Sequence, residues 1–251
     1  MNNFLNFLNV INQQPYKEFS LVTVIKVQGS AYRHEGAKML FRRDGKRFGT
    51  ISAGCLEEDL SYYALEVIKN KKSKVLTYDL RAEHDALWGQ GAGCNGAITV
   101  FIEYVYSHTD NVWLKMENAL DQGQRLLCSR SIDSSFNRIE VINKDTGVCF
   151  GNTTQQSLSF RAAQEKKLNI YHQEIYGEVL IENFEPKNNL YIFGAGPDVN
   201  AVVDLAVQLD FSVTIIDPRS DLCHKNNFPR AHTLVIQHPE TFLHDNRFPP
   251  R

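Results

Sequence analysis

The sequence predicts an α/β protein: a mixed α+β N-terminal domain followed by a short parallel-sheet unit. Three observations carry this. Apolar residues switch repeatedly between the helical repeat and the strict alternation of a half-buried strand. A polar, turn-rich stretch, Glu185-Pro186-Lys187-Asn188-Asn189, divides the chain. Beyond it a strand, a glycine turn, a helix and a second strand follow directly between Leu190 and Asp217, which is a β-α-β unit.

Taken in order, Phe4, Leu5, Phe7, Leu8 and Ile11 recur at helical spacing and predict a helix over 3–14, closed by Pro15. Phe19 to Val27 is rich in β-branched residues and reads as a strand. Segments 37–41 and 48–52 form a hairpin turning at Asp44-Gly45. The stripe Leu56, Leu60, Tyr63, Ala64, Val67, Ile68 gives a helix over 56–69. Strands follow at 75–80 and 97–105, then a helix at 111–122 and strands at 126–129 and 138–142. A helix is expected near Phe160–Leu168 and a strand at 178–184. After the linker come a strand at 190–193, a helix at 198–209, a strand at 213–216 and another near Thr233–Ile236. The divisions are an N-terminal domain over 1–107, a middle β-rich region over 108–187 packed on it, and a partial Rossmann-like, doubly wound domain over 188–251.

Composition excludes several classes. The chain has 251 residues, 43% hydrophobic and 22% charged, which is ordinary for a globular protein. Lys and Arg number 27 and Asp and Glu 29, so no basic field exists to bind nucleic acid. No apolar run is long enough to span a bilayer, and the first residues lack the basic region of a signal peptide. The five cysteines are an odd count, read as free thiols in a reducing cytoplasm. The eight histidines show no zinc-type spacing. Cys128 and Cys149 are expected in the core.

Four constellations could carry chemistry. In Gly49-Thr50-Ile51-Ser52-Ala53-Gly54-Cys55-Leu56-Glu57 a strand runs through small residues into a helix. Cys55 therefore stands at a helix N-terminus, where free N–H groups favour a thiolate. A buried thiol packing as a small hydrophobe is the competing explanation. In Trp88-Gly89-Gln90-Gly91-Ala92-Gly93-Cys94-Asn95-Gly96 the glycines can form a backbone nest for an anion or flat ligand around Cys94. A bulge or barrel corner would also use them. The loop 29–39 carries Arg33, His34 and Lys38, which could hold a phosphate or simply be solvated. Finally, Gly194-x-Gly196 between a strand and a helix, with Asp217 ending the next strand, is a dinucleotide-type context. Its third glycine is replaced by Val199.

The ordered segments Thr23 to Val27, Gly29-Ser30, Gly36-Ala37-Lys38-Met39-Leu40, Gly49-Thr50, Gly54-Cys55-Leu56-Glu57 and Gly93-Cys94-Asn95-Gly96 resemble the XdhC/CoxI family. These are accessory factors of xanthine dehydrogenase and related molybdenum hydroxylases. Tyr191 to Gly196 and Val213 to Arg219 resemble the family's C-terminal Rossmann-like domain. The Bacillus-type purine-catabolism members are the most similar in Gly91 to Gly96 and Gly29 to Arg33. The resemblance implies a maturation factor that binds molybdenum cofactor, supports its sulfuration and passes it to the apoenzyme. A cysteine desulfurase would be a further partner. It implies that Cys55 and Cys94 contact the metal or relay sulfur as a persulfide, and that Arg33 and Lys38 hold the cofactor phosphate. Gly54, Gly91, Gly93 and Gly96 would shape its binding loops.

The sequence departs from the family pattern at Ala53, where a glycine is usual, and in its short C-terminal part. A half-built sheet leaves an open edge, so a truncated product, a completing partner or a homodimer is expected. Two alternatives stand beside the maturation factor. One is an NAD(P)-dependent oxidoreductase using Gly194, Gly196 and Asp217. The other is a cofactor-free docking partner of the dehydrogenase.

Overall fold

The computed structural model describes residues 4–14, 17–52, 54–81, 96–107, 111–133, 138–151, 168–173 and 177–245. The chain divides into two compact units, residues 2–186 and 187–251.

The first unit holds two five-stranded antiparallel sheets. The first sheet is built from β1 (Glu18–Gly29), β2 (Lys38–Arg42), β3 (Arg47–Gly49), β4 (Lys74–Asp79) and β5 (Gly96–Tyr106), in the order β3-β2-β1-β5-β4. The second is built from β6 (Leu126–Ser131), β7 (Ile139–Asn143), β8 (Cys149–Gly151), β9 (Leu168–Gln173) and β10 (Gly177–Phe184), in the order β8-β7-β6-β10-β9. β1 and β5 pair along their full length, from Glu18 opposite Tyr106 to Gly29 opposite Gly96.

Alternation along β1 sends its side chains to two separate cores. Val22 and Val24 join Met39, Phe41 and the apolar stripe of α2 (Glu57–Asn70). Phe19 and Leu21 join α1 (Phe4–Asn12), α3 (Val112–Asp121) and Cys128, Val141 and Phe184 of the second sheet. The five apolar residues of α1 that set its helical period are all buried.

A chain of buried charges also joins the sheets. Lys38 Nζ of β2 lies 2.5 Å from Glu182 Oε1 of β10. The other Glu182 oxygen accepts from Arg130 of β6, whose Nη1 lies 2.6 Å from Glu103 Oε2 of β5. Two cations and two carboxylates sum to zero, as a desolvated cluster must approach. Lys38 was expected to hold a phosphate from a loop. It is instead 3% exposed, because its position on β2 points it between the sheets onto Glu182.

Other expectations also shift. The second hairpin strand is shorter, Arg47–Gly49, because the chain leaves the sheet at Thr50 to start the Cys55 loop. β9 has no separate sequence signal, and β8 is read only as an apolar strand-like segment at Cys149. The helix expected near 160–168 lies outside the described residues up to 167, and Leu168 begins β9. Cys149, expected in the core, is exposed, since β8 is the edge strand of its sheet.

The second unit is a three-stranded parallel sheet, β11 (Asn189–Phe193), β12 (Ser212–Ile216) and β13 (Thr233–Val235), in that order. Its core joins Val203 and Ala206 of α4 (Val199–Gln208) to Val213, Ile215, Cys223 and Phe228. A final helix, α5 (Pro239–Asp245), sets Phe242 about 6 Å from the rings of Tyr191 and Phe193. Among the described residues no helix is long and apolar enough to cross a membrane.

Candidate functional site

Strand direction brings three of the sequence-derived loops to one end of the first sheet. β1 ends there at Gly29 and leads into the Arg33 loop. β3 ends there at Gly49 and leads into the Cys55 loop. β4 ends at Asp79 opposite Ala97, beside the start of β5, so the segment between them leaves from and returns to the same end. Gly91, Gly93 and Cys94 belong to that segment and lie outside the described residues.

The Cys55 loop is clamped by one carboxylate. Glu57, the first residue of α2, is 7% exposed. Its Oε1 accepts from the backbone N–H of Ile51 at 3.2 Å and of Ser52 at 2.8 Å, and Thr50 Oγ1 lies 2.8 Å away. Its Oε2 accepts from the Ser52 hydroxyl. Ser52 Oγ in turn accepts from the N–H of Gly54 at 3.2 Å and of Leu56 at 3.1 Å. Burial pushes the Glu57 carboxyl up, but these hydrogen bonds, led by the Ser52 hydroxyl and N–H, leave it below its ordinary value. Sequence reading gives Glu57 only a role in the helix dipole. Its signal is an acid opening an apolar helix directly after a small-residue turn.

Cys55 is half-buried and not in a disulfide. Gly54 beside it has φ +114, and nothing lies within 4 Å of where a Cβ would be. A side chain there would be strained, and its absence leaves open space at Gly54. Gly54 also lines a depression of about 390 Å³, together with Tyr32, Met39, Arg47, Gly49, Thr50, Ser52 and Glu57. Arg33 stacks its guanidinium 5.7 Å from the Tyr32 ring. Its Nε is buried and has no hydrogen-bond partner among the described residues.

Gly96 was expected to line a ligand nest. A Cβ there would fall 2.4 Å from the carbonyl oxygen of Gln28 and 2.5 Å from that of Ser30. This glycine is needed for the close approach of β5 to β1, a packing role. Among the described residues no group of three His, Cys, Asp or Glu is placed to hold a metal.

In the second unit the expected dinucleotide residues are engaged with one another. Gly194, at φ +115, donates its N–H to Ile216 O at 2.9 Å, and Ala195 donates to Asp217 Oδ2 at 2.8 Å. Asp217 also receives the Arg219 N–H and guanidinium, at 2.7–2.9 Å. The Arg219 guanidinium holds its carboxyl far below the usual range. Both Asp217 oxygens accept hydrogen bonds that close the turn. At Gly196 the position of a Cβ lies 2.5 Å from Asp198 Oδ1. That puts a negative charge against the turn where a dinucleotide phosphate would approach. Gly194, Ala195, Asp217 and Arg219 thus hold the turn together through one another.

The architecture defines a two-part α/β protein: paired antiparallel sheets with a thiol-bearing loop end, and a Rossmann-type half-unit. Residues 13–79 match the XdhC and CoxI family, and residues 190–247 match the XdhC Rossmann domain. The chain belongs to the XdhC and CoxI family. It is 34% identical over 250 residues to a protein of Bacillus subtilis described as a probable subunit of xanthine dehydrogenase, covering all of this chain and 74% of that protein. It is 24% identical over 197 residues to the molybdenum cofactor insertion chaperone PaoD of Escherichia coli, covering 78% of this chain and 52% of PaoD. A crystal structure of a xanthine dehydrogenase from Bacillus halodurans matches 99% of this chain and 72% of its own, with TM-score 0.79 and 30% identity.

Proposed function

We propose that this chain takes up molybdenum cofactor at the loop end of its first sheet and hands it to the apoenzyme of xanthine dehydrogenase or a related molybdenum hydroxylase. The reading is supported by the family and by the name of its relative PaoD, a molybdenum cofactor insertion chaperone. The observation that carries it is the Cys55 loop, fixed by Glu57 at the same end of the first sheet as the loop carrying Arg33, whose Nε has no hydrogen-bond partner among the described residues. The cofactor is a pterin with a dithiolene-bound metal and a phosphate. Arg33 would satisfy its Nε on the phosphate. The open space at Gly54 would admit the metal end to Cys55, with Cys94 as the second candidate thiol.

Sulfuration fits the same thiol. A cysteine desulfurase persulfide would pass its outer sulfur to the Cys55 thiolate, its own cysteine leaving as thiolate. Cys55 would then hold the sulfur next to the metal. In this reading the chain is a carrier rather than a turnover enzyme.

The test is reconstitution. Chain isolated from a cofactor-producing host is mixed with xanthine dehydrogenase apoenzyme lacking the cofactor, and activity is followed. Wild type is expected to restore activity, with Cys55→Ala and Arg33→Ala severalfold weaker. Equal restoration by chain from a host unable to make the cofactor would overturn the proposal.

A further inference from the structure

A large cavity lies away from the thiol end. It has a volume of about 1250 Å³ and lies at the opposite end of the first sheet, where β1 begins and β5 finishes. It exceeds the roughly 300–1,000 Å³ of ordinary ligand pockets. Its walls carry five cations, Lys17, Arg42, Arg43, Lys71 and Lys115, against three carboxylates.

Each of those carboxylates is already met. Asp44 is paired with Arg42. Glu103 is held from the core side by Arg130 at 2.6 Å. Glu18 receives Arg43, Lys71 at 3.5 Å and the Tyr104 hydroxyl at 2.9 Å. The Tyr104 hydrogen bond and these cations outweigh burial and hold the Glu18 carboxyl below its ordinary value. Arg42, Arg43 and Lys71 are engaged in these pairs, and the wall as a whole carries two more cations than carboxylates, in a chain whose net charge is −2. Tyr104, Tyr106 and Trp113 also line it, beside Gln14, Asn111, Val112, Ile139 and Gly151; Tyr106 is 41% exposed and Trp113 is buried. The first turn of α3 borders it through Val112 and Trp113, adding the positive end of a helix dipole.

We propose that this cavity is a second ligand site, separate from the Cys55 end, for a small organic anion bearing a planar ring, of the size and charge of a nucleotide. The cations bind the anionic group and the aromatic side chains take the ring. The site does not depend on the molybdenum cofactor reading, because no residue is shared between the two ends.

The experiment is calorimetric titration of the full chain with AMP, inorganic phosphate and adenosine as probes, supported by tryptophan fluorescence. Saturable AMP binding is expected, with phosphate and adenosine each binding more weakly than AMP. Lys17→Glu and Lys71→Glu, made singly and checked for an unchanged unfolding transition, should each weaken AMP by about tenfold. Arg33→Ala, at the other end, should leave AMP binding unchanged. Absence of saturable AMP binding, AMP affinity insensitive to both lysine variants, or adenosine binding as tightly as AMP would each overturn the proposal.

Discussion

Replacing Glu57 tests how the thiol loop is held. Its carboxylate receives two backbone N–H groups and the Ser52 hydroxyl, with Thr50 Oγ1 also within reach, and it is almost fully buried. Net contributions of roughly 1.5–3 kcal/mol per hydrogen bond to a charged group apply, though they do not add fully. Glu57→Ala should therefore cost about 2–4 kcal/mol. Glu57→Gln should cost about half that, because one oxygen still accepts while the amide meets a Ser52 Oγ that already accepts from Gly54 and Leu56. If about 2 kcal/mol of this appears as local opening, amide exchange over residues 50–56 should quicken roughly 30-fold. Hydrogen exchange read by mass spectrometry and urea unfolding measure the two quantities. Because the folded carboxyl lies below its ordinary value, its contribution is fully present above that ordinary value and is lost as pH falls through the lowered one. Glu57→Gln should remove that part of the acid dependence. Exchange at 50–56 and a urea midpoint both unchanged in Glu57→Ala would refute the clamp.

Other perturbations probe separate parts of the account. Lys38→Met should destabilise the first unit by about 3–5 kcal/mol by unbalancing the buried charges, measured by urea unfolding, and should not act through phosphate binding. Gly96→Ala should prevent normal pairing of β1 with β5, seen as loss of soluble folded protein, because its Cβ meets backbone rather than a yielding side chain. Iodoacetamide at about pH 8, just below the ordinary thiol pKa, should label Cys55 and Cys149 but spare Cys128, whose thiol burial pushes up to about 12, and Cys223, until the chain unfolds. Asp217→Asn should lower the stability of the second unit by about 1–3 kcal/mol in thermal unfolding, yet leave the pterin content of the purified chain unaltered.

The elements with strong periodicity are legible from residues alone. α1 shows its five buried apolar positions, and the long strand β1 shows its β-branched run. β8 is not legible, because three residues on a sheet edge carry no period. Cys55 is visible as the thiol of a small-residue turn, but the group that holds it is not. Glu57 looks the same in sequence whether it faces solvent or the donors of 50–52, and only the fold of 50–52 back over the helix start decides. Lys38 misleads for a related reason. It reads with the loop before it, whereas strand pairing with Thr23 fixes it on β2 and turns it toward a carboxylate 144 residues away. Likewise Asp217 has the position of a ribose acid, but Arg219 two residues on takes both its oxygens.

The most direct measurement is the pterin released from the purified chain, identified and counted by mass spectrometry after expression in a host that makes molybdenum cofactor. The account expects close to one pterin per chain in the wild type, with a clear loss in Cys55→Ala and Arg33→Ala and none in Lys38→Met that remains folded. A wild-type chain free of pterin, or full pterin retained by a folded variant lacking both Cys55 and Arg33, would contradict it.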